Sequence, residues 1–268
     1  MAQTSTIEWT EATWNPVVGC TKVSAGCANC YAERMAKRLA AMAKNDQISG
    51  RNPGRKANYL RVITVDGRWN GHVHPDEGAL SDPFRWKTGR LVFVNSMSDL
   101  FHENVPLWFI QRVFDAMNQC PRHIFQVLTK RPERAAEASR HVEWTPNIWL
   151  GTSIEDAFVT HRAKELQRIR ARLRFLSLEP LLGPIPRLPL SGIHWVVVGG
   201  ESGPGARAMQ PAWVRQIRDR CLASGVAFFF KQWGGVNKKA NGRILDGCAW
   251  DDLPRGPVLT GKKYSCAQ

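Results

Sequence analysis

The sequence predicts an α/β fold, a partial or complete parallel β/α barrel. Six apolar runs each turn polar at their C-terminal end, and several of the segments between them have helical spacing. Runs that are apolar on both faces are typical of buried parallel strands, which helices connect. With one more strand before the first cysteine, we expect about seven β/α units in a single domain spanning 1–252. A loop-rich, flexible tail should follow at 253–268.

The individual elements follow from the same patterns. The stretch 13–20 (TWNPVVGC) is interpreted as a short strand or an extended segment that ends at Gly19 and delivers a cysteine to its C-terminal end. The later strands are predicted at Leu91–Val94, Ile124–Leu128, 149–152, 174–179, Val196–Val198 and Val226–Phe230. Helices are predicted over Val105–Gln119, Phe158–Ala171 and Pro211–Ser224.

A cysteine loop is the first functional signal. Cys20, Cys27 and Cys30 form a C-x6-C-x2-C pattern that opens a predicted helix. Three thiolates can hold three irons of a [4Fe–4S] cluster and leave the fourth iron open. The helix N-terminus would favour thiolates and an anionic cluster. Apolar residues recur along this helix at helical spacing: Tyr31, Met35, Leu39 and Met42.

Two other interpretations of the cysteine loop remain open. Zinc could bind there with a remote fourth ligand, although the nearest histidines are His72 and His74, or the thiols could simply be buried. The other four cysteines are scattered singly: Cys120, Cys221, Cys248 and Cys266. This pattern favours a reducing compartment with one metal cluster over a disulfide framework.

The charge balance indicates a nucleic-acid partner. Lys and Arg number 37 against 23 Asp and Glu, giving a net charge of +14, and there are eleven tryptophans. Cations attract phosphate backbones and aromatic faces can stack on bases, although the excess could also serve solubility while the tryptophans form the core. We expect phosphate contacts within 51–61, 130–134 and 162–174. Because no apolar run reaches membrane-spanning length and no secretory signal is visible, we expect a cytoplasmic protein that does not contact membranes.

Polar residues at the predicted strand ends form the candidate binding set. In β/α barrels the carboxyl ends of the strands collect the functional groups. The candidates are Ser96, Asp99, Lys130, Ser153, Glu155, Glu179 and Glu201. The turn GGESGPG adds Gly199 and Gly200, whose backbone could approach a cofactor closely, although a plain tight turn would fit the same letters.

The motifs together resemble a known family. The cysteine loop before a β/α barrel is similar to that of radical S-adenosylmethionine enzymes. More closely, the stretches FVNSMSDLF, VLTKRP, WLGTSIE, FLSLEPLLG, VVVGGESGPGARAM and FFFKQWGG resemble a phage and bacterial family of three-Cys-motif, radical-SAM-like proteins. That family is distantly similar to spore photoproduct lyase-like DNA repair enzymes. The first cysteine gap is six residues here, where the superfamily usually has three, so the loop is longer.

The resemblance implies a cofactor set and a chemistry. Cys20, Cys27 and Cys30 would bind a [4Fe–4S] cluster that holds S-adenosyl-L-methionine, and an external electron donor would drive its cleavage to a 5′-deoxyadenosyl radical. Strand order suggests the contacts of S-adenosylmethionine: its amino end with Ser96 and Asp99, its carboxylate with Lys130, its ribose with Ser153 and Glu155, and adenine or substrate with Glu179 and Gly199–Glu201. The expected substrate is nucleic acid, with DNA photoproduct repair by a lyase-type reaction favoured. The alternatives are a radical enzyme for another base or a peptide, and a non-enzymatic metal-containing nucleic-acid-binding protein.

Overall fold

A computed structural model describes residues 3–5, 7–254 and 265–266. The chain forms two compact units. We call residues 1–23 with 30–149 the N-terminal unit, and residues 24–29 with 150–268 the C-terminal unit. The short stretch Ser24–Asn29 therefore belongs to the C-terminal unit although its sequence neighbours belong to the N-terminal one.

The N-terminal unit contains parallel strands in β/α order. Its strands are β1 (Gln3–Thr4), β2 (Ala12–Trp14), β3 (Val17–Val18), β4 (His74–Pro75), β5 (Leu91–Val94) and β6 (Ile124–Thr129). Strand β5 pairs in parallel with β2 on one side and β6 on the other, while β1 lies antiparallel to β2. Strand β7 (Ile148–Ser153) begins beside β6, where the amide of Phe125 donates to the carbonyl of Asn147.

The C-terminal unit continues the pattern from the end of β7. Its further strands are β8 (Leu173–Leu178), β9 (Trp195–Gly199), β10 (Ala227–Gln232), β11 (Cys248–Ala249) and β12 (Ser265–Cys266). The amide of Ile154, just after β7, donates to the carbonyl of Ser177 in β8. Strand β9 pairs in parallel with β8 and with β10. The α/β class with the parallel strand and helix order of a partial β/α barrel is thereby confirmed.

Helices connect most of these strands. The α-helices are α1 (Tyr31–Ile48), α2 (Leu107–Asn118), α3 (Pro132–Ala138), α4 (His161–Gln167), α5 (Pro211–Ala223) and α6 (Lys238–Asn241). Short 3-10 helices lie at Ala25–Cys27, Gly54–Arg61, Glu77–Ser81, Pro83–Arg85, Ser139–His141 and Ala157–Val159. None of the helices in the described part of the chain combines the length and apolarity that a membrane crossing needs.

The cores explain why the apolar runs form strands. Every residue of β9 is buried, and β5 and β8 are buried at all but one position each. Trp14 in the N-terminal unit and Trp195 in the C-terminal unit are among the largest fully buried side chains. Strands buried on both faces need continuous apolar runs, which is the pattern that the sequence shows.

Two local features of the N-terminal unit were not predicted from the sequence. The stretch 13–20 contains the ends of two elements, because β2 ends at Trp14 and Val17–Val18 pairs with His74–Pro75. Helix α1 buries a face of alanines: Ala32, Ala36, Ala40 and Ala43. Tyr31, Met35 and Met42 are 50%, 40% and 45% exposed. Small side chains allow α1 to approach the segment 54–61 closely, and Ala32, Ala36 and Ala40 share a buried cluster with Tyr59 and Val62.

The predicted single domain at 1–252 and its tail at 253–268 stay predictions. Most of the tail, 255–264 and 267–268, lies outside the described residues.

Candidate functional site

The cysteine loop is divided between the two units. Cys20 and Cys30 belong to the N-terminal unit, where Cys30 is the residue that caps α1. Cys27 belongs to the C-terminal unit and ends the 3-10 helix Ala25–Cys27. The predicted helix after the third cysteine is therefore confirmed. All three thiols are free of disulfide bonds, and Cys27 is buried while Cys20 and Cys30 are partly exposed.

A buried carboxylate anchors the segment that carries Cys27. Glu155 follows β7 and is fully buried; its Oε1 accepts from the Ser24 hydroxyl at 2.7 Å, and its Oε2 from Nη1 of Arg162 at 3.0 Å. The Ser24 hydroxyl also lies 3.9 Å from the Cys27 sulfur. A Cβ atom at Gly26 would collide with the Glu155 side chain. Only glycine at position 26 therefore lets the loop pack this closely on Glu155.

A second carboxylate fixes the same segment. Glu201 follows β9, and its Oε2 accepts from the Asn29 side-chain amide at 3.0 Å. The guanidinium of Arg207 binds Glu201 and also donates to the Ala25 carbonyl at 2.9 Å. Burial raises the pKa of Glu201, but the hydrogen bonds from Arg207 and Asn29 outweigh it and lower that pKa to about 2. The carboxylate is thus charged at neutral pH, and both ends of the short segment are held.

A polar network lies beside Cys20 in the N-terminal unit. Buried Asp99 accepts from the Thr129 hydroxyl at 2.8 Å, from the Lys130 amide at 3.0 Å and from Nη1 of Arg131 at 3.3 Å. The same Nη1 lies 3.9 Å from the Cys20 sulfur. Burial and the Asp99 carboxylate raise the pKa of Cys20 to about 12, against the opposing effect of Arg131. The metal-free thiol is therefore protonated, and metal binding would have to release that proton.

A third cluster lies at the carboxyl ends of β8, β9 and β10. Glu179 follows β8, and the ammonium nitrogen of Lys231 lies 3.4 Å from each of its two carboxylate oxygens. The Ser177 hydroxyl approaches Oε2 at 3.4 Å. A Cβ atom at Gly199 would lie 3.1 Å from Oε1. Lys231 is a member of this cluster that the sequence did not single out as a binding residue.

The remaining predicted site residues occupy structural positions. The Ser96 hydroxyl donates to the Asn15 side chain at 3.2 Å, and its carbonyl accepts from the Tyr31 hydroxyl at 2.5 Å. The Ser153 carbonyl accepts from Arg162 at 2.9 Å. The Gly200 carbonyl accepts from the Gln232 side-chain amide at 2.9 Å. These contacts do not test whether the residues bind a cofactor, so the roles assigned to them stay predictions.

Several basic side chains in the stretches predicted to contact phosphate form ion pairs within the protein. Arg51 and Lys56 bind Asp46, and Arg55 binds Asp82. Buried Arg131 and Arg162 bind the carboxylates of Asp99 and Glu155 described above. In contrast, Arg170 and Arg172 are exposed and make no ion pair with any described residue. Arg61 in the first stretch is exposed as well and likewise makes no ion pair with a described residue, so these three arginines are available to a phosphate partner.

The loop has the donor chemistry of an iron–sulfur site, since three cysteines that form no disulfide lie before or at the start of a helix. Among the described residues, no group of three or more His, Cys, Asp or Glu side chains is arranged as a ready-made metal site. Cys120 and Cys221 are also free and are buried apart from the loop motif. Cys248 is disulfide-bonded, which differs from the expected pattern of single cysteines in a reducing compartment.

Sequence reasoning missed several groups that organise these clusters. Ser24 and Asn29 lie between the cysteines, where their small polar side chains are the one local signal. Asn95 directly follows β5 with a positive φ of 59°. It is buried, and neither its side-chain oxygen nor its nitrogen has a hydrogen-bond partner among the described residues. A left-handed conformation at an asparagine after a strand has no distinctive sequence signature.

Comparison with known proteins places the chain in one family. Residues 4–254 match the family model described as "Protein of unknown function (DUF5131)". The chain therefore belongs to this family. No curated protein and no solved structure matches it.

Proposed function

We propose that this protein is a radical S-adenosylmethionine iron–sulfur enzyme that acts on nucleic acid, with a DNA photolesion as its substrate. The observation that carries the proposal is the cysteine loop: it has three cysteines outside any disulfide, and Cys27 lies in a segment fixed by the buried carboxylate of Glu155 and by Glu201. Burying a carboxylate costs free energy. Two carboxylates that both hold one short segment therefore indicate that the position of this segment is important.

The chain's own residues would prepare the loop for a cluster. Cys20, Cys27 and Cys30 would supply three ligands, and Ser24 keeps the Cys27 thiol in a polar environment. Arg131 places a positive charge beside the Cys20 sulfur, which opposes the burial and the Asp99 carboxylate that keep this thiol protonated before metal binding. When bound, the cluster and S-adenosylmethionine would supply reductive cleavage of the sulfonium and abstraction of a hydrogen atom from the substrate. An external electron donor would provide the electron.

Nucleic acid is the proposed substrate because the protein carries a large positive net charge. Each internal ion pair is neutral, so the net charge stays at +14. Arg170 and Arg172 are exposed and have no acidic partner among the described residues. A damaged base is already partly unstacked, so its extrusion into a strand-end site costs less than that of a sound base. A cytoplasmic location is part of this proposal because the cluster needs a reducing compartment, although a disulfide such as that of Cys248 is rare there.

The direct test is cleavage of S-adenosylmethionine. Under anaerobic reducing conditions with ultraviolet-irradiated DNA, the protein should release 5′-deoxyadenosine and return repaired DNA. Cys27→Ala should abolish this release, whereas Cys120→Ala, at a buried cysteine outside the loop, should retain it. A protein that holds zinc, binds DNA and never cleaves S-adenosylmethionine would contradict the enzyme proposal and would instead be a metal-containing nucleic-acid-binding protein.

A further inference from the structure

The solvent-exposed side of α1 combines apolar and cationic side chains. By helical geometry, a set of its residues falls within an arc of about 100°, on the side of the helix away from the buried alanines. We call this set the outer face of α1: Tyr31, Arg34, Met35, Arg38 and Met42. All of its members are exposed, and the face extends for about 16 Å along the helix. Apolar side chains gathered on one exposed surface are typical of an interaction site.

The outer face of α1 is cationic. Arg38 is exposed and makes no ion pair with any described residue. The two acidic residues of α1 lie outside this arc, and both are ion-paired. Glu33 lies 2.9 Å from the Lys22 ammonium, and Asp46 lies 3.0 Å from the Arg51 guanidinium. A polyanion can therefore approach the face without meeting an unpaired carboxylate of the helix.

Tyr31 presents a fixed aromatic ring at the start of this face. Its hydroxyl donates to the Ser96 carbonyl at 2.5 Å, while half of the residue stays exposed. A ring held in this way loses little further conformational freedom when a flat partner stacks on it. Methionine side chains are flexible and polarizable, so Met35 and Met42 can pack against the faces of different bases.

We propose that the outer face of α1 binds a single-stranded segment of nucleic acid. Bases would stack on Tyr31 and pack against the two methionines, while Arg38 would meet a phosphate. A single strand offers anionic phosphates together with flat apolar faces, which is the combination that this surface complements. In a duplex the base faces are stacked on one another and are not available.

The position of α1 gives this surface a role in the proposed reaction. Helix α1 begins directly after Cys30, so a strand held on Tyr31 passes next to the cysteine loop. The inference rests on the proposed nucleic-acid substrate and specifies that the bound form is single-stranded.

The first test isolates the contribution of the bases. It compares labelled oligothymidine of roughly twelve nucleotides with an abasic strand of the same length. Both carry the same number of phosphates, so their electrostatic attraction to the protein is the same. Fluorescence anisotropy with the full chain should give about tenfold tighter binding to oligothymidine, the size expected when one base stacks on an aromatic ring.

Variants of the outer face show where the bases lie. In Tyr31→Ala and in Met35→Ala the preference for oligothymidine should fall towards one. Binding to the abasic strand should persist, which also shows that the variants are folded. Phe84→Ala is the matched control, because Phe84 is an exposed apolar residue outside α1, and it should keep the tenfold preference.

Arg38→Gln tests the phosphate contact. The slope of the logarithm of the association constant against the logarithm of salt concentration should become shallower by about 0.7, the value for one phosphate of a single strand. Lys44→Gln removes the same charge from another side of α1. Lys44 is likewise exposed and makes no ion pair with a described residue, so its variant should keep the slope.

Three results would overturn the inference. Equal affinity for the two strands, or an unchanged preference in both Tyr31→Ala and Met35→Ala, would remove the base contacts and leave nucleic-acid binding to other surfaces. Dimerisation of the protein that Met35→Ala abolishes would assign the outer face to a second copy of the chain. Binding to neither strand would overturn the nucleic-acid substrate as well, whereas cleavage of S-adenosylmethionine tests the enzyme chemistry separately.

Discussion

The Ser24 hydroxyl donates to the Glu155 carboxylate at 2.7 Å although the two residues are 131 positions apart in sequence. Ser24 also lies beside the Cys27 sulfur. A carboxylate at the end of a parallel strand thus determines where one of the three loop cysteines lies. Disturbing Glu155 should therefore change both the stability of the protein and the behaviour of Cys27.

Glu155→Gln should lower the free energy of unfolding by about 3–5 kcal/mol, because it leaves the buried guanidinium of Arg162 without its counter-charge. Urea denaturation measures this change. Glu165→Gln breaks the exposed pair with Arg168 and should cost at most about 1 kcal/mol. Similar losses in the two variants would show that the Glu155 pair is not the anchor described here.

Gly26→Ala should displace the Cys27 segment, because its Cβ atom would collide with Glu155. We expect a loss of about 1–3 kcal/mol in stability, typical of overpacking, together with faster alkylation of Cys27 by iodoacetamide. Gly183→Ala is the control, since its Cβ atom meets Asp156 at an ordinary 3.5 Å. Unchanged alkylation of Cys27 in Gly26→Ala would mean that the segment is held by other contacts.

Acid should weaken the C-terminal unit through Glu201. Its pKa is lowered from 4.5 to about 2 in the folded protein, where Arg207 and Asn29 oppose the effect of burial. Its contribution to stability is therefore fully present above pH 4.5 and is lost as the pH falls towards 2. Urea midpoints measured across this window should fall less steeply for Glu201→Gln than for the unmodified protein. Parallel curves for the two proteins would contradict the assignment.

Binding to DNA should depend on salt through exposed arginines. The logarithm of the association constant should fall linearly with the logarithm of salt concentration, and the double variant Arg170→Gln, Arg172→Gln should reduce the slope by about two. Arg168→Gln is the matched control, because Arg168 is paired with Glu165. If the double variant and the control gave the same slope, DNA would have to meet another surface.

The sequence predicted much of the fold because buried parallel strands need apolar runs. The apolar run Val196–Val198 forms the centre of β9. The helix predicted over Pro211–Ser224 agrees with α5 to within one residue. The buried face of α1 was not predictable in the same way. Its alanines carry little hydrophobic signal, and they are buried because of close packing against a segment distant in sequence.

The candidate site was predictable only in part. Cysteine spacing identified the loop, and polar strand ends identified Glu155, Glu179 and Glu201. Their contacts were not predictable, because the partners of Glu155 and Glu201 lie in the cysteine loop, far away in sequence. The position of Lys231 depends on a β-bulge that has no signature in the residues of β10.

Iron analysis tests most directly whether the cysteine loop holds an iron–sulfur cluster. The protein would be purified without oxygen, assayed for iron and sulfide, and its visible spectrum recorded before and after dithionite. We expect about four irons per chain and a broad visible absorption that bleaches on reduction. Both should be absent from Cys27→Ala and present in Cys120→Ala. One zinc per chain and a colourless protein would contradict the account.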